Sequence, residues 1–413
     1  MKKNLLLLGL LAMGLTFTAC SDDDDDNKKT DNGTKTEQEI IDEIDAEDNV
    51  DYTSANATAW GNYMRAVDSL LLNDATTLYD DWTVSYQKGD SYQQQFKNHQ
   101  VTGLTTGLAC LEQIIDGMAE IANEVGESKI GEPLAKYTAN WMNKANMREG
   151  LYAVESWYSW HSRDDYSNNI LSIRNAYFGV YDKSINNRTS TPAANSMYNT
   201  VNSINPTLNK QLVNAIDGAI AAIQAIPQPF RNHINSTESK AAQAACATLS
   251  TLLTHELKTF FEDNAKTDAV CDPIVANIVD NVIVPTSKDL RDLISAMHNE
   301  VISFQRNPSN AGFAALGKAW IAARQPWESF EAFLFGPVSD DGLDPNMDSW
   351  PLDKDGIVSL LSSQNWNQMK WDGNYTDDED SEEGQKIAAA QNLRGFHTME
   401  FLIFKNGQPR TVK

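Results

Sequence analysis

Apolar side chains recur every three or four positions through most of the chain, the spacing that places them on one face of an α-helix. Leu104, Leu108, Leu111, Ile115, Met118 and Ala122 form one stripe, and Leu212, Ile216, Ile220 and Ile223 form another. A third, Leu290, Ile294, Met297, Val301 and Phe304, follows the helix-start signal Pro285-Thr286-Ser287. A fourth runs through Trp60, Met64, Val67, Leu71, Leu78 and Trp82. The only β-branched run, at 282–284, is too short to found a sheet. The spacing predicts an all-α protein in which helices bury these stripes against one another in bundles. Two stretches lack the period, 336–355 and 371–383, and are expected as long loops. A last helix is expected over 384–404.

The first fifty residues read differently. Two lysines among residues 1–3, an apolar run at 5–15 and the small pair Thr18-Ala19 lead into Cys20. That order is a signal peptide over 1–19. Its apolar run is about eleven residues, short of the roughly 20 that cross a bilayer as a helix. Cys20 then becomes the lipidated first residue of a lipoprotein, held to a membrane by its acyl chains. Aspartates fill 22–26, and few apolar residues follow before 50. Residues 20–50 are therefore expected to be an acidic, disordered tether. Such an acid-rich start resembles the surface-export signal of Bacteroides-group lipoproteins, which implies an outer-membrane protein on the cell surface or the periplasmic face.

Charge locates what the net value of −24 conceals. Residues 20–50 hold 13 acids against 3 lysines, and 372–383 hold 7 acids and no base, so these segments carry 17 of the 24 surplus negative charges. The helical body is only mildly acidic. It offers no basic stripe for a nucleic acid, and an anionic partner is disfavoured. The acidic segment at 371–383 lacks the ligand spacing and turn glycine of an EF-hand and reads as solvated decoration. Cys110, Cys246 and Cys271 allow at most one disulfide, and no Cys-x-x-Cys spacing supports a thiolate zinc site.

Near the C-terminus stands Arg394-Gly395-Phe396-His397-Thr398-Met399-Glu400. His397 and Glu400, three apart, share a helix face and can act on one ligand, or simply on each other. Gly395 removes a side chain beside them and admits a close neighbour. The Gly395-x-His397-x-x-Glu400 motif resembles the G-x-H-x-x-E signature of the imelysin-like proteins. Ala323-Arg324-Gln325-Pro326-Trp327, Glu331-Ala332-Phe333, Gly336-Pro337 and Trp350-Pro351-Leu352-Asp353 are similar to further landmarks of that family. Ile173-Arg174-Asn175-Ala176-Tyr177-Phe178-Gly179 is similar to its I-x-N-V-Y-x-G segment. The histidine motif usually precedes that segment and here follows it, so the chain resembles a circularly permuted member.

The resemblance implies two four-helix-bundle-like domains, one assembled from 55–95 plus 287–413 and the other from 96–286, with a polar site between them. Its expected residues are Glu331, Asp353, His397, Glu400, Ser159, Asp165 and Asn175, with His397 and Glu400 as metal ligands. Imidazole and carboxylates suit iron or another divalent cation, and the resemblance implies a role in iron uptake. Two alternatives stand beside it: a metallopeptidase using the His-x-x-Glu motif, and a structural surface protein without a defined ligand. The peptidase reading needs a metal-bound water and a general base. His-Glu-x-x-His, which would supply two ligands and that base, is absent, since His255-Glu256 is followed by Thr259 where the second histidine would stand. Binding without catalysis is the favoured expectation.

Overall fold

The computed structural model describes residues 36–47, 50–139, 143–378 and 380–413. Cys20, the leader at 1–19 and the tether up to residue 35 lie outside the described residues. Each apolar stripe becomes a helix: Ala57–Thr83, Gly107–Glu124, Pro206–Ala225 and Val284–Arg306. The described residues are all-α apart from a two-residue antiparallel pair, Phe404–Lys405 with Gln408–Pro409.

Ala57–Thr83 packs along Val284–Arg306, which packs along Asn310–Glu328; Gly395–Ile403 lies on the first and third of these. Met64, Val67, Leu71 and Leu78 are fully buried there, each contributing about 1.5–3 kcal/mol through burial. A second group joins Gly107–Glu124, Ser162–Phe178, Pro206–Ala225 and Thr237–Thr251. Ser162–Phe178 touches Asn310–Glu328, and the short turn Glu331–Phe333 touches both Gly107–Glu124 and Ser162–Phe178. One continuous core runs through both groups. The helical run Asp268–Arg306 is long and apolar enough in composition to cross a membrane. Its Leu290, Ile294, Met297 and Val301, however, lie in this core.

Several expectations need correction. Within the segment expected to be a disordered tether, Glu37–Glu47 is a helix, and Ile40, Ile41 and Ile44 are buried. These three isoleucines share one face and give a short acidic helix enough apolar surface to dock. The loop at 336–355 contains the short helices Pro337–Asp340 and Leu343–Asp348. The expected helix at 384–404 is two helices, Glu382–Gln391 and Gly395–Ile403, with Phe404 in the strand pair. The 282–284 run is helical, inside a continuous helix. Cys110, Cys246 and Cys271 are all buried free thiols.

Candidate functional site

Gly395–Ile403 is a nine-residue helix with every residue buried. Its position is fixed from outside by long side chains on other helices. Trp60 Nε1 donates to the Leu402 carbonyl at 3.0 Å and Trp320 Nε1 to that of Phe396 at 2.9 Å. Gly395 sits at φ +83°, and a Cβ there would lie 2.4 Å from the Met347 carbonyl oxygen. Only glycine allows that backbone turn and that approach together. The Met347 backbone so admitted brings its neighbour Asp348 against the motif.

His397 then meets carboxylates at both ring nitrogens, Glu400 Oε2 at 3.2 Å from Nδ1 and Asp348 Oδ1 at 3.1 Å from Nε2. Trp350 packs edge-on against the ring, with centroids 4.8 Å apart. Glu400 turns its other oxygen to the backbone N–H groups of Tyr158 (3.0 Å) and Ser159 (2.7 Å). Those donors lie between Ser156 and Trp160, two non-glycine residues at positive φ, +50° and +64°. Such backbone is held in place at a cost and is concentrated at functional sites.

Asp348 is the hub. It pairs with His397 and Arg324, and accepts from Trp327 Nε1 at 2.6 Å. Arg324 also pairs with Glu328 at 2.5 Å and Asp165 at 3.5 Å. Asp165 accepts from Ser156, and Asn169 donates to Glu328 at 2.6 Å. The side chains of Arg324, Asp165, Glu328, Asp348, His397 and Glu400 are all at most 4% exposed. Charges so deep must be compensated locally.

Compensation is uneven. Burial and the Arg324 charge press His397 toward neutrality, but Asp348 and Glu400 outweigh them and hold the ring up to about 9. Both ring nitrogens of His397 thus face carboxylates, which favour its protonated form. Burial raises Asp348 too, yet Arg324 and His397 drag it well below the usual carboxylate range. Elsewhere burial wins. It pushes Glu328 up to about 8 despite Arg324, lifts Glu331 well above its ordinary range despite Lys129, and raises Asp344 to about 7 with help from Asp348. In each of these carboxyls burial favours the protonated form over the charged one.

Glu328, Glu331 and Asp348 each offer an oxygen within 4.8 Å of the other two, a spacing compatible with one cation. Asn169, having given its amide hydrogen to Glu328, leaves a buried carbonyl oxygen without a hydrogen bond among the described residues. Three carboxylates form the oxygen-rich donor set that hard divalent cations take. Beside the cluster opens a polar cavity of about 380 Å³, lined by Asp165, Asn168, His161, Arg163, Gln224 and Gln325 among others. Asp165 belongs to both, so the cavity reaches the outer edge of the buried network.

Of the residues expected from sequence, His397, Glu400, Ser159, Asp165 and Glu331 fall in or against this cluster. Ser159 contributes its backbone N–H, while its hydroxyl donates to the Ser156 carbonyl at 3.4 Å. Asp353 does not join them: it is exposed and caps the helix Lys354–Ser363, accepting from Gly356 N at 2.9 Å. Asn175 is buried, but it fastens the backbone of Asp182 through two hydrogen bonds. It lies ten residues beyond Asp165 on one helix, a rise of about 15 Å. Sequence reasoning missed Asp348, Arg324, Glu328, Asn169 and Lys129. Arg324 and Glu328, an i, i+4 pair of opposite charge on one helix, carried a readable signal.

A family model, Imelysin (peptidase M75), matches residues 30–255 and 283–412. The crystal structure of an imelysin peptidase from Bacteroides ovatus at 1.44 Å resolution is 50% identical to this chain. The likeness covers 89% of this chain and 99% of that one, with a TM-score of 0.82. Iron-regulated protein A of Synechococcus elongatus is 28% identical over 153 residues. The chain spans 37% of the length of that relative.

Proposed function

Because this chain belongs to the imelysin family, we propose that it is a cation-binding protein of iron uptake, taking iron or another divalent cation at its buried carboxylate cluster. The observation that carries this reading is the convergence of Glu328, Glu331 and Asp348 within 4.8 Å. Burial favours the protonated forms of Glu328 and Glu331 at that point, and a cation can displace such protons. Glu328, Glu331 and Asp348 hold the ion. His397, Glu400 and Arg324 act as positioning residues: Glu400 fixes His397, and His397 with Arg324 keeps Asp348 ionised. The name of the Synechococcus relative, iron-regulated, supports the assignment to iron without choosing its oxidation state.

Anaerobic calorimetric titration with iron(II), repeated with manganese(II), tests it. The wild-type chain is expected to bind, with Glu331→Gln and Asp348→Asn weakened at least about tenfold, a loss of roughly 1.4 kcal/mol. No binding by the wild type, or equal binding by both variants, rejects the reading. Hydrolysis is the weaker alternative, since both ring nitrogens of His397 already face carboxylates.

The family reading also suggests two bundles, residues 55–95 plus 287–413 and residues 96–286, in permuted order, with the site at their junction. The leader and Cys20 place the chain, in this proposal, as a lipoprotein of the outer membrane. Cys20→Ser is expected to move it from the membrane fraction to the soluble one. Retention on membranes after a carbonate wash contradicts lipid anchoring.

A further inference from the structure

Two of the three carboxylates that converge at the centre are already engaged by one guanidinium. Asp348 Oδ1 lies against Arg324 and His397, and its Oδ2 accepts from Trp327 Nε1. Glu328 gives one oxygen to Arg324 Nη2, at 2.5 Å, and the other to Asn169. A divalent ion at this point therefore competes with Arg324 for two of its ligands. The guanidinium cannot shed its proton to make way. Its side chain is only 1% exposed, so a displaced Arg324 needs another carboxylate to balance its charge.

Such a carboxylate stands on the far side of the guanidinium. Asp165 Oδ2 lies 3.5 Å from Arg324 Nε, too far for a good hydrogen bond. Nε is a buried donor with no hydrogen-bond partner among the described residues. Ser156 donates to Asp165 and holds it in place. Asp165 also lines the polar cavity of about 380 Å³, which leaves room on that side of Arg324. One side chain thus separates the cavity wall from the carboxylate centre.

We propose that Asp165 is a positioning residue for cation binding: the incoming ion pushes Arg324 off Glu328 and Asp348, and Asp165 takes over the guanidinium. This rests on reading the Glu328, Glu331 and Asp348 centre as a cation site. Every charge keeps a partner through the exchange. The ion replaces the guanidinium among the three carboxylates, while Arg324 and Asp165 close into a neutral pair beside the cavity. Asp165 is not a ligand of the ion and acts through Arg324.

The test measures manganese(II) affinity, by the paramagnetic resonance of the free ion, on the full mature chain in a double-mutant cycle of Asp165→Asn and Arg324→Gln. In the wild-type background Asp165→Asn is expected to weaken binding at least about tenfold. In the Arg324→Gln background no guanidinium has to be rehoused, and adding Asp165→Asn is expected to change affinity by less than about twofold. Equal losses in both backgrounds, or no loss in either, overturn the inference while leaving the centre intact. Absence of binding by wild type removes the centre and the inference with it. A crystal structure of the manganese-loaded wild type supplies a readout that needs no variant to fold. Arg324 moved onto Asp165 supports the proposal, and Arg324 still on Glu328 and Asp348 beside a bound ion overturns it.

Discussion

Asp51 accepts charge from three directions, Lys405 at 2.6 Å, Lys413 at 2.8 Å and Arg410 at 3.4 Å. Partial burial would raise its carboxyl, but hydrogen bonds from Lys405 and Lys413 hold it down to about 2. The folded value lies below the unfolded one, near 3.9. Its stabilisation is therefore complete above about pH 4 and disappears as the pH falls through about 2. The difference in unfolding midpoint between wild type and Asp51→Asn is expected to shrink over that window. A difference independent of pH would show that the three cations contribute nothing through this charge. The same contrast between a visible residue and its surroundings explains which site residues could be read. His397 and Glu400 announce themselves by spacing inside a motif. Asp353 sits in a family landmark, yet its carboxylate is used as a helix cap, whereas Asp348, five residues earlier, is aimed at the histidine. Nothing in the local sequence separates the two aspartates, because the difference lies in where the chain turns.

At the level of elements, the short Gly395–Ile403 helix depends on its first residue. An alanine at 395 would have to hold φ near +83° and bring Cβ to 2.4 Å from the Met347 carbonyl. Gly395→Ala is expected to cost on the order of 1–3 kcal/mol. Gly218, exposed within Pro206–Ala225 with nothing within 4 Å of its missing Cβ, is the counterpart. There alanine should stabilise by roughly 0.5–1 kcal/mol. Denaturant midpoints of the two variants should move in opposite directions, and equal shifts would discount the backbone argument. The long helices were legible because their stripes repeat over several turns. The break at Asn392–Arg394 was not, since apolar residues continue across it and the helix is interrupted by packing against residues 346–347. The π turn at Val125–Gly131 was equally hidden. It changes which way Lys129 points without changing the composition around it.

Across the protein, the polar cluster draws on Lys129, Glu155, Asp165, Arg324, Asp348 and His397, residues separated by as much as 268 positions. No periodicity links such distant segments. A set of short motifs in concert could locate part of the cluster because it reports a shared fold, and all-α packing could be read from the stripes alone. What escaped was the balance of charge, which exists only once these segments meet and water is excluded. Two indoles stand at that meeting point: Trp327 donates to Asp348, and Trp350 lies against the His397 ring. An excited indole is sensitive to the charge and to the paramagnetism of what lies beside it. The protein therefore carries its own optical reporter: under the proposed function, adding the cation is expected to change intrinsic tryptophan emission without any added dye, and unchanged emission counts against a cation at this cluster.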